Sequence, residues 1–187
     1  MGFRCERTAI PDVLLVEADR FGDDRGFFTE DFRENVLREM GIPPLVQHNH
    51  SRSVRGVLRG LHYQLPPAAM GKLVRCIRGA VLDVAVDLRR GSATFGQHVA
   101  MALDGEATRM LWVPAGFAHG FLTLSDEADV IYKQTAYWSR QHERSVRWDD
   151  PALAIPWSAH LHDAEPILSA KDAAAPRLEE AELFDDH

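Results

Sequence analysis

Lys72-Leu73-Val74-Arg75-Cys76-Ile77-Arg78, then Gly79, then Ala80-Val81-Leu82-Asp83-Val84-Ala85-Val86-Asp87-Leu88 is the stretch whose reading decides the fold. Both halves are short, rich in β-branched residues and bounded by breakers, so they read as strands Lys72–Arg78 and Ala80–Leu88 on either side of the Arg78-Gly79 step. The same period of two continues outward in both directions. Upstream it marks Val13–Glu17, Gly26–Phe32 and Val54–Tyr63; downstream it marks Gln97–Leu103, Arg109–Val113, His119–Leu124 and Asp129–Trp138. Turn chemistry separates these runs at Gly22-Asp23-Asp24, Pro66-Pro67, Arg90-Gly91-Ser92, Asp104-Gly105, Pro114-Ala115-Gly116 and Ser125-Asp126. Many short strands at close spacing predict an all-β sandwich or barrel rather than βαβ units. A helix is expected over Arg33–Met40, ended by Gly41 and two prolines, and a weaker helical turn near Arg177–Leu183. No repeat or linker divides the chain, so residues 1–187 read as one domain. The segment from about residue 158, richer in Asp, Glu, Ala and Pro, is expected to wrap over the barrel.

Composition narrows the function classes. The chain has 187 residues, 45% of them hydrophobic, which suffices for a sizeable core. Against 21 Lys and Arg stand 28 Asp and Glu, a formal charge of −7, and no Lys/Arg run reaches five. That balance argues against nucleic-acid binding but leaves room for a small anionic ligand held by a few arginines. Cys5 and Cys76 make neither a disulfide framework nor a CxxC pair. The N-terminus shows no apolar signal region, and no apolar run approaches the roughly 18 residues of a membrane span. A soluble protein of a reducing compartment, the cytoplasm, is the expectation. Neither G-x-G-x-x-G nor G-x-x-x-x-G-K-[ST] occurs, so dinucleotide and NTP loops of those types are not expected.

Polar residues on strands point to chemistry. His62 lies in Arg59-Gly60-Leu61-His62-Tyr63-Gln64, where period two puts Leu58, Gly60, His62 and Gln64 on one face. His119, in Phe117-Ala118-His119-Gly120-Phe121, repeats the pattern on another strand. One such histidine is ordinarily a hydrogen-bonded core residue; two in one small barrel predict a shared cavity. A metal site built from His48, His50, His62 and His119 is the rival, yet Ser51-Arg52-Ser53-Val54 follows the H-x-H pair where metal-binding cupins carry a glutamate. Arg25, Arg52, Arg55, Arg59, Lys72 and Arg75 could supply a diphosphate clamp. Arg59 conflicts with the parity of His62, which calls for a bulge near Gly60 or a second layer. Tyr132 could donate a proton across a cavity. Asp172, on its own residues alone, reads as solvated surface, whereas Asp83 and Asp87 are unusual carboxylates for strand interiors.

These residues together resemble the dTDP-4-dehydrorhamnose 3,5-epimerases, nucleotide-sugar epimerases with a cupin-like double-stranded β-helix, or jelly roll. The likeness runs from Phe21-Gly22-Asp23-Asp24-Arg25-Gly26-Phe27-Phe28, through Gln47-His48-Asn49-His50-Ser51, Gly56-Val57-Leu58-Arg59-Gly60-Leu61-His62, Lys72-Leu73-Val74-Arg75-Cys76, Asp83-Val84-Ala85-Val86-Asp87-Leu88-Arg89 and Gly116-Phe117-Ala118-His119-Gly120-Phe121, to Leu168-Ser169-Ala170-Lys171-Asp172. The resemblance implies His62 as general base, Asp172 as the carboxylate orienting it, Tyr132 as general acid and Lys72 as the cation beside the C4 carbonyl oxygen. It implies substrate contacts at Arg25, Glu30, Gln47, Asn49, Arg59, His119, Trp138, Glu143 and Lys171. It also implies no cofactor or metal, a homodimer with exchanged strands, and a dTDP-4-keto-6-deoxyhexose substrate epimerised at C3, C5 or both. Trp138 stands where the family commonly has a tyrosine stacking on thymine, with Tyr137 beside it as the alternative alignment. A metal-dependent cupin enzyme and a non-catalytic nucleotide-sugar binding module are the competing classes.

Overall fold

The computed structural model describes residues 2–161 and 164–185. The deciding stretch forms β7 (Lys72–Arg78) and β8 (Ala80–Asp87), but the two strands lie in different sheets. Gly79 turns the corner at φ +74°, and a Cβ there would meet the Glu127 carbonyl at 2.1 Å. Sheet I runs β1 (Phe3–Arg7), β2 (Leu14–Ala18), β10 (Arg109–Val113), β7, β12 (Glu127–Gln134), β5 (Gln47–Val54). Sheet II runs β13 (Glu143–Ser145), β6 (Leu58–Gln64), β11 (Phe117–Thr123), β8, β9 (His98–Asp104). A separate hairpin pairs β3 (Arg20–Asp23) with β4 (Gly26–Thr29), and the short helices are α1 (Glu34–Glu39), α2 (Ser158–Leu161) and α3 (Ala170–Ala173). The strand pairs are antiparallel, and the all-β, cupin-like jelly roll is the observed fold class.

Alternation along each strand divides the apolar residues into three layers. Val74 and Cys76 from sheet I meet Val81, Ala85, Phe117 and Phe121 from sheet II between the sheets. The outer face of sheet II, with Leu58, Leu82, Val84 and Val86, is covered by Val146, Leu153, Trp157, Ala181 and Leu183 of the C-terminal segment. The outer face of sheet I, with Leu73, Met110 and Trp112, is covered by Leu37 of α1 and by Ile42. Leu37 is the buried residue of α1, and its removal from water is worth roughly 2 kcal/mol.

Several boundaries differ from expectation. Val54–Tyr63 is not one strand: Arg55-Gly56 turns, with Gly56 at φ +78°, and separates β5 from β6. Strand β5, polar along most of its length, was not expected, nor were β1, β3 and β13. Strand β4 ends at Thr29 and β12 at Gln134, short of Phe32 and Trp138. Arg177–Leu183 contains turns but no helix, while α2 and α3 lie in stretches where no element was expected.

The important correction lies in β6. Its register against β11 pairs His62 with His119 but Arg59 with Phe121, so β6 carries one extra residue between them. This bulge at Gly60-Leu61 reverses the parity of the strand. Leu58 and Leu61 therefore point outward, whereas Arg59, His62 and Gln64 face the barrel interior. Gly60 sits at φ +123°, and a Cβ there would stand 2.6 Å from Gly120 Cα and 2.8 Å from the His119 carbonyl. Only glycine tolerates that approach and that backbone.

Candidate active site

Between the sheets lies a cavity of about 490 Å³. Sheet I contributes Gln47, Asn49, Lys72 and Tyr132 to its lining, and sheet II contributes His62, Gln64 and Glu143. His62 and Tyr132 thus stand on facing walls. Trp138, on the chain after β12, closes one side.

Two imidazole–carboxylate pairs sit side by side on sheet II. His62 Nε2 lies 2.5 Å from Asp172 Oδ1. Asp172 is buried in α3, whose N-cap Ser169 accepts the Asp172 backbone N–H at 3.1 Å and donates its hydroxyl to Oδ2 at 2.8 Å. Burial pushes the Asp172 carboxyl up, but the hydrogen bonds from His62 and Ser169 and the nearby charges outweigh it and hold it below the usual range. Burial likewise dominates at His62, pulling the imidazole below its ordinary value against the raising influence of Asp172. At neutral pH the pair is therefore neutral imidazole and carboxylate. A carboxylate only accepts, so Nε2 carries the proton and Nδ1 keeps the free lone pair. One cross-strand step away, His119 Nε2 lies 2.8 Å from Asp83 Oδ1, both groups buried.

Lys72 extends into the same space, its Nζ 3.5 Å from the His62 carbonyl oxygen. Burial lowers the ammonium to about 8, with Asp83 and Glu143 opposing the shift. The Tyr132 phenol is raised by burial, over the lowering influence of Arg59 and Asn49, and stays protonated at neutral pH. Arg59 spans the mouth between the sheets, donating to Ser53 Oγ at 3.0 Å and to the Arg52 carbonyl at 3.3 Å. Glu143 binds the Lys171 ammonium at 2.7 Å. Gln47 accepts the Trp138 backbone N–H at 2.9 Å and donates to Asn49, which donates in turn to Gln134 at 3.0 Å.

Comparison with known proteins gives the family of the chain. A family described as dTDP-4-dehydrorhamnose 3,5-epimerase matches residues 7–180. A protein named dTDP-4-dehydrorhamnose 3,5-epimerase from Pseudomonas aeruginosa is 53% identical over 183 residues, 97% of this chain and 99% of that protein. The chain belongs to the dTDP-4-dehydrorhamnose 3,5-epimerase family. It is accordingly an isomerase. Among solved structures of the family, the dTDP-6-deoxy-D-glucose-3,5-epimerase of Legionella pneumophila, in complex with dTDP-4-keto-L-rhamnose, superimposes with a TM-score of 0.94 at 44% identity, covering 100% of both chains. A 3'-monoepimerase from Streptomyces bikiniensis, in complex with dTDP-quinovose, gives 0.86 at 36% identity, covering 92% of this chain and 87% of that one.

Most residues implied by the family resemblance converge. His62, Lys72, Tyr132, Gln47, Asn49, Trp138 and Glu143 line the cavity, with Asp172, Arg59, His119 and Lys171 bonded to or beside the lining. Asp172 is not the solvated residue its local sequence suggests, because Ser169 and His62 satisfy it in a buried position. Arg25 and Glu30 stay outside. Arg25 pairs with Asp23 on the β3–β4 hairpin, and Glu30 with Arg33. The four histidines of the metal alternative do not converge: β5 alternates so that Gln47 and Asn49 face inward, while His48 and His50 face outward and His50 binds Asp129. Among the described residues no group of three His, Cys, Asp or Glu is placed to hold a metal. Sequence reasoning gave no role to Gln64, which accepts the Ser139 N–H at 2.6 Å and so fixes the turn presenting Trp138. A polar residue at an inward strand position was its signal.

Proposed function

We propose that this protein epimerises dTDP-4-keto-6-deoxy-D-glucose at C3 and C5, a step of dTDP-rhamnose formation. The observation that carries the reading is His62 and Tyr132 on opposite walls of one cavity, with the Lys72 ammonium between the walls. Protons at C3 and C5 flank the C4 ketone, so their removal gives an enolate. His62 Nδ1 accepts the proton, and Asp172 holds the tautomer and stabilises the imidazolium that forms. Lys72 donates to the enolate oxygen, a contribution of about 3–4 kcal/mol for one well-placed donor. The Tyr132 phenol returns a proton from the other face, which inverts the carbon; bulk solvent then resets both groups. Arg59, His119 and Lys171 contact the diphosphate and sugar, while Gln47, Asn49, Glu143 and Trp138 hold the nucleoside, its base stacked on the indole.

The same reading makes the working unit a homodimer. On the β3–β4 hairpin Phe21, Phe27 and Phe28 are 49%, 53% and 59% exposed, an apolar surface that a second copy would cover. In that arrangement Arg25 and Glu30 complete the site of the neighbouring subunit. The nucleotide substrate and two free thiols, Cys5 and Cys76, suit a cytoplasmic setting, and no helix among the described residues is long and apolar enough to cross a membrane.

The test is solvent exchange: incubation with dTDP-4-keto-6-deoxy-D-glucose in deuterated water, with C3 and C5 followed by NMR. Deuterium at both carbons is expected. Deuterium at one alone makes the enzyme a monoepimerase, and exchange at neither overturns the epimerase reading for this substrate.

A further inference from the structure

Asp83 is the carboxylate to which the mechanism above gives no task. It lies on β8, on the interior face, opposite Phe121 of β11 and next to the His119–Ala85 step of the ladder. It is fully buried, an expensive position for a carboxylate. Oδ1 holds His119 Nε2 at 2.8 Å, whereas Oδ2 is buried with no hydrogen-bond partner among the described residues. An apolar residue at this place would continue the row of Val81 and Ala85 at no such cost. The interior face of β7 lies across the core, with Lys72 near the His62 carbonyl.

We infer that Asp83 is a positioning residue of the epimerase site: through Oδ1 it fixes the His119 ring, and with the unpartnered Oδ2 it lays a fixed negative charge behind the Lys72 ammonium. This rests on the epimerase reading only for the identity of the reaction it serves. An acceptor-only carboxylate forces the His119 proton onto Nε2 and leaves Nδ1 as the acceptor nitrogen. The charge keeps Lys72 protonated in a site whose burial works against it, so that a donor is present when the C4 oxygen becomes anionic. The other groups facing Lys72 are Glu143 of β13, which acts in the same sense, and Lys171 of α3, which opposes it. His62 of β6 meets Lys72 through its carbonyl oxygen, and the flanking positions on β10 and β12 are the neutral Val113 and Gln134. Glu143 is already bound to Lys171, so Asp83 is the carboxylate not committed to another cation.

The decisive variant is Asp83→Asn, which keeps shape and removes charge. Its turnover is expected to fall about tenfold or more at the alkaline end of the range, because Lys72 has lost the charge that helps keep it protonated as enolate donor, with dTDP affinity within about threefold of wild type. The alkaline limb of its kcat profile moves to lower pH, because Lys72 has lost its anionic neighbour. An unmoved alkaline limb overturns the inference, as does a loss of dTDP binding equal to the loss of turnover. Titration of 13C-lysine-labelled protein by NMR supplies a readout that needs neither turnover nor the variant. In the wild type one lysine, absent in Lys72→Met, should titrate near 8, and histidine ring spectra should show His119 protonated at Nε2. Lys72 found unprotonated at neutral pH, or a His119 proton on Nδ1, overturns the inference even if Asp83→Asn does not fold. If wild-type protein exchanges neither C3 nor C5 while Lys72 titrates as expected and shifts in Asp83→Asn, the epimerase reading falls and the role of Asp83 stands.

Discussion

His62–Asp172 and His119–Asp83 are the same two functional groups, joined through the same ring nitrogen, on paired positions of adjacent strands. They differ in where the carboxylate comes from. Asp83 is supplied by β8, a neighbour within the sheet, and is buried with its histidine. Asp172 is supplied by a helix more than a hundred residues along the chain, capped by Ser169, and its histidine remains partly open to the cavity. A carboxylate built into the ladder acts from within the sheet, holding its partner and charging the core beside it. One brought by a separate segment can leave the far side of its partner free for substrate. The contrast teaches that chemistry in this fold follows access, not residue type.

The sharpest way to break that contrast is to remove each histidine. His62→Ala is expected to lower turnover by about 10³-fold or more while the melting temperature stays close to wild type, because a general base and its proton path are lost together. His119→Ala should act mainly on substrate affinity. Equal losses of kcat in the two variants would erase the distinction between the pairs. Lys72→Met comes next, at about 10²–10³-fold in kcat with dTDP binding nearly unchanged, since the donor acts on the enolate. Parallel loss of binding would make Lys72 an ordinary ligand contact.

A mixing experiment addresses the second region, the exposed hairpin. His62→Ala and Arg25→Ala proteins, each deficient alone, are combined after subunit exchange. If Arg25 serves the neighbouring site, half of the random dimers carry one intact site, and about a quarter of wild-type activity returns. Absence of recovery would place Arg25 at its own subunit's site. At Trp138, exchange to Ala is expected to weaken dTDP binding by about 1–3 kcal/mol, the worth of one stacked base, with kcat almost unchanged.

Legibility in the sequence followed hydrophobicity and failed where the barrel is wet. Strands β7 and β8 were readable because Val74, Cys76, Val81 and Ala85 pack in the dry interior. Strand β5 was not, because its inward positions Gln47 and Asn49 face the cavity and give no apolar alternation. The conflict between Arg59 and His62 was visible as a parity error, and its resolution is the bulge at Gly60, whose need for glycine comes from the opposing Gly120. Asp172 carried no local signal at all. Its place beside His62 comes from a tertiary contact of α3 with β6, and in the sequence only the family resemblance points to it.

The smallest effect expected is the most direct test of how the two pairs divide the work. The kcat profile of the wild type should be bell-shaped. Its acid limb lies below the ordinary histidine value, because burial favours the neutral His62 proposed as base, and its alkaline limb lies near 8, where Lys72 deprotonates. Activity on the acid side is lost as pH falls through the His62 value, since the protonated ring has no lone pair to offer. The Asp172 carboxylate raises that value, so Asp172→Asn must move the acid limb further down while leaving the alkaline limb in place. Asp83→Asn must do the converse, moving the alkaline limb and sparing the acid one. If either variant shifts both limbs together, His62 and Lys72 titrate as one coupled system, and the division of labour drawn from the two carboxylates is wrong.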